Sequence, residues 1–215
     1  MADIRIDIIA DYVCPWCYLG YNRLNQAIEQ LGDDYKFDLR WQPFELHPEI
    51  PAEGVDRDAY LSKKFGSQEK LNEVSHALQQ IGQQEGLIFN FSEDDIVPNT
   101  FLAHQLMTRV KSSELSTAVA LALFDAYFAQ GINIGDKSEL IKIAKDAGVG
   151  QSEIDNLFCL EDQVLTEKKL KHLGTMGINS VPTYVVNDQF MIQGAHSAES
   201  LFKTLYDIIE NEDLS

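Results

Sequence analysis

Basic residues are scarce in this chain. Its 215 residues hold 17 lysines and arginines against 34 aspartates and glutamates, a formal net charge of −17. That balance argues against a phosphate backbone or an anionic membrane surface as partner, so neither nucleic acid nor membrane is expected. Long apolar runs are missing too. The most apolar stretch, STAVALALFDAYFA, is interrupted by Asp125 and is too short to span a bilayer, so it reads as a buried helix. The opening MADIRIDIIADYV has no basic segment followed by an apolar one; no secretory signal is read there, and a cytoplasmic location is expected. Internal repeats and low-complexity segments are absent. So are G-x-G-x-x-G, P-loop, H-E-x-x-H and G-x-S-x-G patterns, which leaves nucleotide, metalloprotease and serine-hydrolase chemistry without support. Cysteine is sparse, with three residues, and in a reducing cytoplasm stable structural disulfides are rare.

The periodicity of the chain changes along its length. IRIDII alternates Ile4, Ile6 and Ile8 against Arg5 and Asp7, a strand signal. Leu24, Ile28 and Leu31 then recur at helical spacing and Gly32 supplies a stop. YKFDLRW places Tyr35, Phe37, Leu39 and Trp41 on one face of a second strand. The first 43 residues therefore read β-α-β. From about residue 52 to 176 helical patterns follow one another, the last of them SEIDNLFCLEDQVLTEKKLKHLGTMG, with LIFNF the one strand-like segment. VPTYVVNDQFMIQG gives two short β runs around an Asn187–Asp188 turn, and Ser197 can cap a final helix carrying Leu201, Leu205, Ile208 and Ile209 on one face. The expected architecture is α/β: a discontinuous sheet domain from 1–51 and 177–215, interrupted by an all-helical insertion at 52–176. Neither terminal piece is large enough to make a core of its own, which supports their packing together.

Two of the three cysteines stand three positions apart in DYVCPWCYLG, between the first strand and the first helix. A structural zinc site needs about four ligands, usually in two closely spaced pairs. One pair is present, Cys159 is alone, and no H-x3–5-H follows, so no metal is expected. A static crosslink gains little from closing so short a loop. A cycling thiol pair remains. Cys14 precedes Pro15, a residue favoured in the first helical turn, where unpaired N–H groups and the helix dipole favour a thiolate. Cys17, one turn deeper, would be the resolving thiol. C-x-x-C beside a β-α-β pattern reads as a thioredoxin-like redox motif. SVPTYVV then offers Pro182 at a strand entry, read as a cis bond after Val181 that brings the Val181 backbone beside Cys14, where an extended peptide could pair with it.

CPWC after a short strand, a large helical insertion, SVPTYVV and QGAHSAE together resemble the DsbA-like thioredoxin superfamily, in its cytoplasmic FrnE-like branch. PFELHPEIP, VPNTFLAHQL, FDAYFAQG and the spacing to GINSVP resemble the same branch, and the likeness runs nearly the full chain. It implies a thioredoxin fold with a helical insertion, thiol–disulfide oxidoreductase or isomerase activity on protein disulfides, Cys14 and Cys17 as the redox-active pair, and Pro182 as the cis-proline. No cofactor is required on this reading, and glutathione is a candidate redox partner beside protein thiols. Two readings compete. One is a glutathione-dependent isomerase or transferase related to 2-hydroxychromene-2-carboxylate isomerase, whose relatives typically carry serine in place of the nucleophilic cysteine and lack a resolving thiol. The other is a non-enzymatic holdase or binding module built on an apolar cleft. Ser180 and His196 depart from residues frequent in the branch, which leaves specificity open. The substrate, the direction of electron flow and the oligomeric state are not legible.

Around the motif, several residues carry paired readings. His104 either faces the cysteines, polarising a substrate or stabilising a thiolate, or is an interface histidine making one hydrogen bond. Asn99 and Thr100 read as helix caps, with substrate binding the lesser reading. Phe44 walls the cleft or belongs to the core. Trp16 offers a partly exposed apolar surface to substrate. Asp11 reads first as a solvated loop carboxylate, and in the alternative as acceptor of the Cys17 proton. Cys159 reads as a small buried hydrophobe.

Overall fold

A computed structural model describes residues 3–92 and 95–212. Strand β1 (Asp3–Ala10) leads into helix α1 (Pro15–Leu31), and the chain returns along β2 (Lys36–Pro43). β2 pairs parallel with β1 over its whole length, from Asp3 opposite Lys36 to Ala10 opposite Pro43. Parallel neighbours need such a crossover, and the helix supplies it. Gly32, at φ +77°, turns the chain out of α1.

Among the described residues, seven helices follow before the sheet resumes. They are α2 (Arg57–Phe65), α3 (Gln68–Glu85), α4 (Phe101–Arg109), α5 (Ser113–Phe128), α6 (Lys137–Asp146), α7 (Gln151–Ile154) and α8 (Leu160–Thr175). Their starts have local causes: the side chains of Asp56, Ser67, Ser112 and Asp136 each accept a hydrogen bond from a first-turn N–H. This stretch is not purely helical. Strands β3 (Val55–Asp56) and β4 (Ile96–Val97) pair antiparallel as a two-residue ribbon. LIFNF, by contrast, forms no strand; Phe89 is buried there, and the Asn90 N–H donates to the Phe128 carbonyl. The pattern read as one helix from Ser152 to Gly177 is broken in two, with Phe158 in the left-handed region at φ +62° between α7 and α8.

Strands β5 (Thr183–Val186) and β6 (Phe190–Gln193) close the sheet in the order β2-β1-β5-β6, and α9 (Ala198–Glu212) ends the described chain. β5 runs antiparallel to β1 with Ile8 opposite Tyr184, and Asn187 and Asp188 both adopt positive φ in the turn to β6, the conformation a tight hairpin requires. The Ser200 N–H donates to Ser197 Oγ, which caps α9, and Leu201, Leu205, Ile208 and Ile209 are buried against α1.

The core is continuous from sheet to helices. One face of the sheet carries Ile4, Ile6, Ile8, Tyr184 and Val186; the other carries Ile9 and Val185 against Leu173 of α8 and Ile178. Aromatic rings join the N-terminal β-α-β segment to the middle of the chain. Tyr18 of α1 stacks on Phe124 of α5 at 5.0 Å, and Trp41 of β2 lies 6.0 Å from the same ring. Trp41 also donates from Nε1 to Thr117 Oγ1 at 3.1 Å.

Candidate active site

The end of β1 sets the site. Cys14 occupies the N-cap of α1 with extended backbone, Pro15 takes the first helical position, and the Cys14 N–H closes a turn on the Asp11 carbonyl at 3.1 Å. The Cys14 carbonyl receives the N–H of Cys17 at 3.0 Å, so both thiols lie on the first turn of the helix. Neither is in a disulfide, and both are buried. Burial, above all, pushes the Cys17 thiol well above its ordinary range; its hydrogen bond to Cys14 and the charges of Cys14 and Asp11 add to this, while a hydrogen bond from the Asp11 backbone opposes it. Cys17 is thus held as a thiol at neutral pH.

The second half of the chain meets α1 one turn further on. The Val181–Pro182 peptide bond is cis. A Cβ at Gly20 would lie 2.9 Å from Pro182 Cγ and 2.5 Å from the Tyr184 hydroxyl, so the helix and the entry to β5 approach at a distance that only glycine permits. The Tyr184 hydroxyl is buried there without a hydrogen-bond partner among the described residues. Burial raises its pKa first, and the two cysteines add to the rise.

Asp11 lies behind the dithiol and is fully buried, which corrects its reading as a solvated loop carboxylate. Position explains the difference: β1 delivers it beneath α1, and the chain beyond β2 closes over it. Its Oδ2 accepts the Leu46 N–H at 2.6 Å, and Oδ1 has no hydrogen-bond partner among the described residues. His104 of α4 is equally buried, its Nε2 2.9 Å from the Phe44 carbonyl and 3.5 Å from Asp11 Oδ1. A carbonyl only accepts, so Nε2 carries a hydrogen, and Nδ1 has no hydrogen-bond partner among the described residues. His104 therefore touches Asp11 from behind and is out of reach of a substrate.

A cavity of about 370 Å³ opens beside Cys14. Trp16, 44 % exposed, forms part of its rim, and Leu71, Leu78 and Phe128 lie in its wall. Of the residues singled out in the sequence, Cys14 and Trp16 line it, and Phe44, Asn99 and Thr100 do not. The Phe44 side chain packs with Ile9, Leu173, Ile178 and Val185 on the far face of the sheet. Asn99 is held by local hydrogen bonds, giving one to the Ile50 carbonyl and accepting one from the Phe101 N–H. Thr100 is the N-cap residue of α4 but makes no side-chain cap. Val181 is half-buried between the two parts of the core. Cys159 is also not the buried hydrophobe expected: it is partly exposed at the N-cap of α8, 3.0 Å from an Arg109 nitrogen that also pairs with Asp162. His47, Lys64, Arg57 and Tyr184 were missed. His47 lies in PFELHPEIP and Tyr184 in SVPTYVV, but a single sequence gives no spacing rule that brings α2 over Cys14.

A dithiol on the first turn of α1, packed against a cis-proline loop within a β-α-β and β-β-α sheet, defines a thioredoxin fold. The family model of the DSBA-like thioredoxin domain matches residues 5–206, and the chain belongs to that family. It is 29% identical over 206 residues to the uncharacterized protein YwbO of Bacillus subtilis, covering 95% of this chain and 96% of that one. A Streptomyces coelicolor crystal structure described as a “probable DsbA oxidoreductase” superposes with a TM-score of 0.85 at 25% identity, over 95% of this chain and 89% of that one. The cytosolic disulfide reductase DsbM of Pseudomonas aeruginosa, solved with GSH, shares the fold with a TM-score of 0.65 at 15% identity, over 96% and 99% of the two chains. No helix among the described residues is long and apolar enough to cross a membrane.

Proposed function

We propose that this protein is a cytoplasmic thiol–disulfide oxidoreductase acting on protein disulfides through Cys14 and Cys17, with residues 52–176 as a cap over the site. The observation that carries the reading is the asymmetry of the pair: Cys14 borders the cavity, whereas Cys17 does not and is held protonated by burial. The Cys14 thiolate attacks one sulfur of a substrate disulfide, forming a mixed disulfide and expelling the other substrate sulfur as a thiolate. Cys17 then loses its proton and attacks Cys14 Sγ, which expels the second substrate thiolate. The substrate gains two electrons, and the protein is left with a Cys14–Cys17 disulfide that an external thiol such as glutathione reduces. Asp11, with its free oxygen behind Cys17, is the base for the resolving step. In a reducing compartment this cycle favours reduction or isomerisation over net oxidation.

Equilibration in glutathione redox buffers, alkylation and intact-mass counting test the reading. It requires a two-thiol step mapping to Cys14 and Cys17, with a potential between about −270 and −120 mV. An inert pair, or a stable glutathione adduct on Cys14 that Cys17 never displaces, refutes it.

A further inference from the structure

The wall of the cavity beside Cys14 departs from the charge of the chain. Acidic residues outnumber basic ones 34 to 17 overall, yet the lining holds Arg57 and Lys64 and no aspartate or glutamate. Arg57 is already answered. Its guanidinium is buried, bonded to Asp58 at 2.8 Å and Ser75 at 3.0 Å, and lies 4.2 Å over the Phe91 ring. Lys64 is different: its Nζ sits 3.1 Å from His47 Nδ1 and has no ion-pair partner among the described residues.

The neighbours of Lys64 sharpen its role. Burial, then the Lys64 charge, lowers the His47 pKa, so the ring is neutral at neutral pH. The Tyr60 hydroxyl donates to Glu49 and also lies 3.0 Å from His47 Nδ1, the nitrogen that Lys64 Nζ approaches, and the Lys64 charge reaches Glu49 as well. One end of the cavity therefore carries an ammonium with donors to spare beside a neutral imidazole. Apart from Arg57, Ser75 and Tyr127 the remainder is apolar, with Leu61, Leu71 and Leu78 beside the Phe91 and Phe128 rings.

We propose that this cavity selects disulfides that join an apolar group to a carboxylate, the apolar body filling the pocket and the carboxylate meeting Lys64 while the sulfur reaches Cys14. The proposal rests on the thiol–disulfide reading above and names its substrate class. The volume, about 370 Å³, is within the range of sites that enclose a small aromatic body. An anionic group is otherwise poorly received by a protein of net charge −17, so a local cation at the reacting sulfur confers selectivity where the overall field opposes it.

The test compares two aromatic disulfides that Cys14 attacks by the same step. In 5,5′-dithiobis(2-nitrobenzoate), which bears carboxylates, and in neutral 4,4′-dithiodipyridine, the Cys14 thiolate forms an S–S bond to one ring sulfur. The electron pair of the broken bond leaves on the other sulfur as a coloured product. Second-order rates are measured on wild type, Lys64→Gln and Lys63→Gln, the last making the same charge change on a lysine outside the lining. The ratio of carboxylate to neutral rate should fall about five-fold in Lys64→Gln, as for loss of one ion pair, and hold in Lys63→Gln. An unchanged ratio in Lys64→Gln, or an equal fall in both variants, overturns the substrate class and leaves the oxidoreductase reading standing. If neither probe releases its thiol, and intact mass shows neither an adduct on Cys14 nor the loss of two hydrogens on forming a Cys14–Cys17 disulfide, that reading fails and the proposal with it. Disulfide-linked peptides of sequence Cys-Phe-Glu and Cys-Phe-Gln, run in parallel, separate the sources. A Lys64-dependent preference for the acidic peptide indicates a polypeptide substrate, and preference confined to the aromatic acid indicates a small molecule.

Discussion

Replacement of Gly20 by alanine probes the contact that brings the two halves of the sheet domain onto one helix. Ordinarily Gly→Ala inside a helix stabilises by about 1 kcal/mol. Here the added methyl would stand 2.5 Å from the Tyr184 hydroxyl, 2.9 Å from Pro182 Cγ and 3.4 Å from the Ala195 methyl. Neither β5 nor the proline ring can yield freely, because Tyr184 is fully packed and paired opposite Ile8. Overpacking of this kind costs about 1–3 kcal/mol, so the net effect of Gly20→Ala is a loss of roughly 1 kcal/mol. Tyr184→Phe alone should do the reverse. It removes a buried hydroxyl with no partner and gains about 1 kcal/mol. In the double variant the closest clash has gone, so the two changes couple favourably by at least about 1 kcal/mol. Urea unfolding of the four proteins, followed by far-UV circular dichroism at constant slope, measures this cycle. If Gly20→Ala is as stable as wild type, or the cycle shows no coupling, the close approach of α1 and β5 is not what excludes a side chain at residue 20.

Three further outcomes follow from the site and its surroundings. Asp11→Asn retains an acceptor for the Leu46 N–H but removes the base behind Cys17, so release of the second substrate thiol in stopped-flow should slow by about a hundred-fold, with formation of the mixed disulfide little changed. Cys17 has a raised pKa in the folded state; its contribution to stability is complete below the unfolded value of 9.0 and is lost as pH rises beyond it, so wild type should lose stability toward high pH more steeply than Cys17→Ala in urea titrations. Trp41→Phe loses the hydrogen bond to Thr117 and the ring contacts to Tyr21 and Phe124; a drop of about 2–3 kcal/mol is expected by the same method.

Much of the fold was legible because its strands alternate cleanly and its helices start on capping residues. Ile4, Ile6 and Ile8 face one core, and Leu201, Leu205, Ile208 and Ile209 share a buried helix face, as their spacing implied. The errors have local causes. LIFNF is apolar at strand length, but Phe89 is drawn into the aromatic cluster around Phe128, 5.1 Å away, in place of a sheet edge. The run through Cys159 keeps helical spacing across a break, because one left-handed residue, Phe158, changes direction without altering composition.

The site divides along the same line. Cys14, Cys17 and Pro182 could be read because each is tied to a local constraint, the start of a helix or the entry to a strand. The contact between Asp11 and His104 could not, since it spans 93 residues of sequence. α4 brings an imidazole within 3.5 Å of a carboxylate buried under the dithiol, and nothing in the spacing of either residue records it. Burial then changes what each can do. An exposed Asp11 would be one acid among 34; enclosed, with one oxygen lacking a hydrogen-bond partner among the described residues, its charge adds to the rise in the Cys17 pKa. The helical segment thus reaches the two cysteines from two sides, His104 of α4 touching Asp11 and Lys64 of α2 lining the cavity beside Cys14.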